Sequence, residues 1–187
     1  MPAITGQEGT GMAGSLQQIN LKFDAAQDRL LLRMRVGEEE VRLWLTRRYI
    51  RLMWGALVKL LGQVPEVVAQ PEPKARRAVI AFQHQAAVQQ SDFKKKYEAA
   101  APQPELGPAP LLVTGSKLRM TEPKRPQIVF ETDGGKAITV NLGMDTLHSF
   151  CRLVQKSVAT AEWNMVLELE GKGSGEAPAD APPSRVH

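Results

Sequence analysis

Two stretches of this chain carry the same hydrophobic pattern 97 residues apart. Residues 41–61 read VRLWLTRRYIRLMWGALVKLL, and residues 138–158 read ITVNLGMDTLHSFCRLVQKSV. In each, apolar residues first alternate and then recur every third or fourth position. Val41, Leu43 and Leu45 fall on Ile138, Val140 and Leu142. Ile50, Met53, Trp54, Leu57 and Leu61 fall on Leu147, Phe150, Cys151, Val154 and Val158. Period two is the signature of a half-buried strand and period 3.6 that of an amphipathic helix. A strand running directly into a helix, twice in one register, restricts the chain to a duplicated α+β plan.

The repeat extends upstream. Ile19, Leu21 and Phe23 share one face of a strand, and Leu30, Leu32, Met34 and Val36 one face of the next. Gly37-Glu38-Glu39 supplies the turn. Before the second copy, residues 111–136 hold two more strands, with Asp133-Gly134-Gly135 as a hairpin signal. Residues 165–170, MVLELE, alternate as a fourth strand of that copy. The fold class expected is α+β: two pseudo-symmetric repeats of three to four antiparallel strands followed by a helix, with a bridging helix between them. Each helix covers its sheet's apolar face, and pairing of the two units hides strand edges.

Thr46 is placed to cap the first helix, and Asp145 to cap the second or to favour its first turn by charge. Between the copies, residues 73–101 are rich in Ala and Gln and predict a helix, with Val79, Phe82 and Ala86 as its docking face. Asp92-Phe93 followed by three lysines marks its end, with lower order expected near residue 100. Glycine and proline gather at the chain ends and between the copies. The boundaries follow: a disordered tail over 1–14, the first repeat over 15–62, a linker with the bridging helix over 63–108, the second repeat over 109–171, and a disordered tail over 172–187.

Chemistry is sparse. There is one cysteine and there are three histidines. His148 and Cys151 lie one helical turn apart, but Cys151 matches Trp54 in the repeat and is expected in the core. His84 reads as a packing or helix-surface residue. Glu38-Glu39-Glu40 reads as solvated charge at a turn. Phosphate-binding loops, nucleophile elbows and metalloprotease motifs are missing, and no cofactor or metal is implied. A binding protein is therefore expected rather than an enzyme. A lone cysteine, no basic-apolar leader and no apolar run near 18 residues suggest a soluble cytoplasmic protein without a membrane partner.

Net charge is +4, and residues 28–62 hold eight Lys/Arg against four acids. If the apolar residues of the first sheet point inward, Lys22, Arg33, Arg35, Arg42 and Trp44 point outward together, with Arg47 and Arg48 at the start of the helix. Cations suit phosphates and an exposed indole suits a base, so single-stranded nucleic acid is the expected partner of this face. A protein partner is the alternative, since exposed Trp and Arg also anchor protein interfaces. A homo-oligomer could use the same face.

The duplicated strands-then-helix plan with a basic outer face, across residues 16–170, resembles the Whirly and PUR single-stranded nucleic-acid-binding proteins. The resemblance implies two repeats of four strands and a helix packed into one unit. It rests on topology, and no binding residue transfers from those families. The chain departs from them in its three-stranded first copy and its helical insert at 73–101.

Overall fold

In the computed structural model, Thr10–Gly11 and residues 16–169 are described. The elements in chain order are β1 (Thr10–Gly11), β2 (Leu16–Asp24), β3 (Arg29–Val36), β4 (Glu39–Leu45), α1 (Arg47–Leu61), α2 (Pro65–Val68), α3 (Pro73–Gln90), β5 (Ala101–Pro102), β6 (Leu111–Glu122), β7 (Arg125–Thr132), β8 (Ala137–Asn141) and α4 (Met144–Thr160).

β2–β3–β4 and β6–β7–β8 are antiparallel meanders, each followed by a long helix. α1 and α4 begin 97 residues apart, as the sequence repeat requires. All sixteen apolar residues of the matched register are buried. The meanders join through a short parallel contact, Leu43 with Leu111 and Trp44 with Leu112. The sheet order is β1-β8-β7-β6-β4-β3-β2, with β5 on β4 beside β6.

The helices cross between repeats. α1 packs against β6 and α4 against β2, so each repeat's helix lies on the first strand of the other. Ile19, Leu32 and Met34 line one small void with Ile128, Phe130, Val140 and Phe150. The inner faces of the two meanders thus meet in a single core. Removing this much apolar surface from water is the dominant stabilising term.

Local chemistry agrees with these elements. Thr46 caps α1, its Oγ1 accepting from Tyr49 N at 3.2 Å. α4 is entered through Gly143 with no side-chain cap, and Asp145 contributes only its charge in the first turn. Gly37 and Gly135 turn their hairpins at φ 61° and 73°, a region that L side chains rarely adopt.

Five expectations are corrected. Residues 165–169 form no strand. Met165 and Leu167 pack on the core and Leu169 is buried, while Gln155 Nε2 donates to Leu167 O. The alternation there records one-sided packing along α4 without a ladder partner. The bridging helix α3 docks through Ile80, His84 and Ala87; of the expected face Val79 packs on the core, but Phe82 is 72% exposed, because the helix is rotated from that face. The chain near residue 100 is held in place by contacts described below. Glu40 belongs to β4 and is 1% exposed, not a turn charge in solvent. Thr10–Gly11, expected in a disordered tail, pairs parallel with β8. The remainder of that tail and residues 172–187 lie outside the described residues.

Candidate functional site

The outer face of the first meander is set by its register. Rows run across the strands: Gln18, Arg35, Glu40; then Asn20, Arg33, Arg42; then Lys22, Leu31, Trp44, Leu112. Five of the seven residues expected at the site are therefore brought onto one face. Arg47 and Arg48 are exposed in the first turn of α1, next along the chain from the Trp44 end of that face.

The face divides into two zones. In the first, the arginines are occupied. Arg33 grips Glu40 in a fork, Nε to Oε1 at 3.1 Å and Nη2 to Oε2 at 2.9 Å. Arg42 Nε lies 2.9 Å from Glu40 Oε1, an ion-pair contact not aligned as a hydrogen bond. Arg35 Nη1 meets Glu98 Oε2 at 2.9 Å, and its Nε donates to Gly37 O. The Tyr97 ring lies under the Arg33 guanidinium, 4.5 Å from centroid to Cζ, a cation–π contact. Burial pulls the Glu40 carboxyl upward, but the Arg33 hydrogen bond and charge, the nearby Tyr97 hydroxyl and the Ala100 N–H outweigh it. The net result is a carboxyl below its ordinary range, so Glu40 is an anion near neutrality. Burial and the Glu40 anion push the Tyr97 hydroxyl upward.

The second zone is open. Leu31, Trp44 and Leu112 are half-buried and stand outside the core cluster. Lys22, Arg47 and Arg48 are exposed, and no ion pair reaches them among the described residues. The other two indoles are buried: Trp54 on the inner side of α1, and Trp163 with Nε1 donating to Asp28 Oδ1 at 2.8 Å.

No protein-family model, curated protein or solved structure matches this chain. The site therefore stands on its own geometry. Among the described residues no cluster of three metal-ligating side chains forms, and no helix is long and apolar enough to cross a membrane. His84 and His148 meet between α3 and α4 with ring centroids 5.5 Å apart. Both are buried, and burial followed by the charge of His84 lowers the His148 pKa to about 4. Cys151 is fully buried and its thiol is pushed up to about 12, which makes it an inert core residue.

The sequence reading missed Glu40, Tyr97, Glu98, Leu31 and Leu112. Glu40 was findable, because it continues the outward alternation of Arg42 and Trp44. Leu31 and Leu112 also follow from alternation once β3 and β6 are in register. Tyr97 and Glu98 carry no local signal, since a chain crossing the face is fixed only by tertiary contacts.

Proposed function

We propose that the chain is a non-enzymatic binding protein that takes single-stranded nucleic acid on the outer face of its first sheet. The observation that carries this reading is a half-buried indole, Trp44, sharing an outer face with Lys22 and close in the chain to Arg47 and Arg48, cations with no acid partner among the described residues. A base would stack on the indole, worth roughly 1–3 kcal/mol, and phosphates would engage the free cations. Arg33, Arg35 and Arg42 play the smaller part while paired, because drawing Arg33 away would leave the buried Glu40 anion without its fork. The duplicated plan, similar in outline to Whirly and PUR proteins, supports the reading, and a single cysteine suits a cytoplasmic location.

One observation favours the second reading, a protein partner on the same face. Leu31 and Leu112 flank Trp44, making an apolar strip of the kind that anchors protein interfaces. Fluorescence anisotropy with labelled deoxythymidine and mixed-sequence oligonucleotides separates the two. Saturable binding that weakens as salt rises is expected for nucleic acid. Absence of binding at low salt, with a protein captured from nuclease-treated lysate and lost on Trp44→Ala, would favour the protein partner. Light scattering reads whether a second copy occupies the face.

A further inference from the structure

Residues 92–102 cross the outer face of the first sheet as a strap. Its two ends are anchored. At one end Ser91 Oγ bonds Ser149 Oγ at 2.7 Å. At the other Ala101–Pro102 pairs with Glu39–Glu40, Gln103 N donates to Glu40 O at 3.1 Å, and Leu106 is buried. Between the anchors no residue from 92 to 105 is buried. The strap is held instead by polar and ring contacts: Tyr97 on Arg33, Glu98 on Arg35, Glu98 N to Gln18 Oε1 at 2.9 Å, and Ala100 N to Glu40 Oε2 at 3.4 Å. The Glu98 side chain is 65% exposed. A groove of about 320 Å³ runs beside it, lined by Ile19, Asn20, Phe93, Tyr97 and Leu153.

These contacts have the chemistry of a nucleotide. An aromatic ring stacks on a guanidinium as a base would, and one anionic carboxylate oxygen meets the neighbouring guanidinium as a phosphate oxygen would. We infer that residues 92–102 are an intramolecular stand-in for the nucleic acid, a strap that must leave Arg33 and Arg35 before those side chains take a ring and a phosphate. This rests on the nucleic-acid reading above and adds its regulation. The open zone around Trp44 receives the first nucleotides, and a longer strand competes with Tyr97 and Glu98 for the second zone. Exposed ion pairs are weak and salt-screened, so a polyanion can displace them without unfolding the sheet.

The test uses the full chain and three variants. Tyr97→Ala removes the ring without changing net charge. Glu98→Gln removes the closer acid partner of Arg35 and leaves Glu38 at 4.0 Å. Glu105→Gln, an exposed acid away from the face, controls for the lost charge. Tyr97→Ala and Glu98→Gln are expected to tighten binding of a 20-nucleotide single strand several-fold. Each newly engaged phosphate should steepen the log–log salt dependence by about 0.7. Glu105→Gln should leave both near native values. Unchanged or weaker binding in Tyr97→Ala would overturn the strap, since a ring that helps hold the strand would be lost rather than a competitor. A second readout needs no ligand. Amide exchange at Glu98 and Ala100 should accelerate in Tyr97→Ala while the β2–β3 ladder stays protected. Protection retained at both amides also overturns the strap. Failure of every protein to bind any oligonucleotide ends the functional reading, and with it the role of the strap.

Discussion

Arg33 and Glu40 stand on neighbouring strands and are joined by a fork of two hydrogen bonds, at 3.1 and 2.9 Å, around a carboxylate that is 1% exposed. Arg42 and the Ala100 N–H complete the shell. The pair decides how the face works, because it fixes two of the outward arginines on an internal acid. Glu40→Gln removes the charge and keeps the shape. A stability loss of about 2 kcal/mol is expected in urea unfolding, with the arginines partly relieved by solvent. The sign with pH follows from the lowered carboxyl: its stabilisation is present above the ordinary value of 4.5 and fades as pH falls through the folded value. The variant should lose that acid-limb slope.

The paired histidines give a different pH window. His148 has a folded pKa of about 4 against an ordinary 6.5, so the unfolded chain binds more protons between them. Stability should fall as pH drops from 6.5 toward 4, by on the order of 3 kcal/mol in total. His84 from α3 and Asp145 from α4 are the charged neighbours, the first lowering and the second raising the value. Urea titrations at pH 7.5, 6 and 5 should show the decline in the native chain and a shallower one in His148→Leu. Equal slopes would mean the interhelical pair tolerates protonation.

A single core predicts a single transition. Leu32 and Phe130 come from different repeats and line the same void. Leu32→Ala and Phe130→Ala should each cost about 3–4 kcal/mol. Tryptophan fluorescence and far-ultraviolet circular dichroism should still report coincident unfolding in both. Two separated transitions would show that the repeats fold as independent units.

The two helix starts differ in a way that substitution can exploit. Thr46→Ala deletes the hydroxyl that accepts from Tyr49 N and should cost about 1 kcal/mol. Gly143 takes φ −84° with open space where a Cβ would stand, so Gly143→Ser fits and should add a few tenths of a kcal/mol. Thermal melts of the two variants should move in opposite directions.

Much of this architecture was written in the spacing of apolar residues. The 97-residue repeat placed both strand-to-helix joints, because burial on one face forces a period and the period survives loss of identity. Thr46 and the glycine turns were legible for the same local reason. What the spacing could not give was anything made by distant segments meeting. Residues 165–169 alternate as a strand does, yet their partner is α4, so no ladder forms. The strap was invisible because Tyr97 and Glu98 are fixed by Arg33 and Arg35, more than sixty positions away. The outward direction of Arg33, Arg35 and Arg42 was readable, but their pairing depended on which acids the fold delivered. Lys22, Trp44, Arg47 and Arg48 were readable in place, and the three cations among them have no acid partner among the described residues.

Because Trp54 and Trp163 are buried, the half-buried Trp44 is the indole a ligand on the outer face would reach. Titration of a single-stranded oligonucleotide into the native protein at low salt, followed by intrinsic tryptophan fluorescence, tests the central claim most directly. The account predicts saturable quenching that diminishes as salt rises and is lost in Trp44→Phe. Quenching of equal size in Trp44→Phe, or none in the native protein, would contradict it.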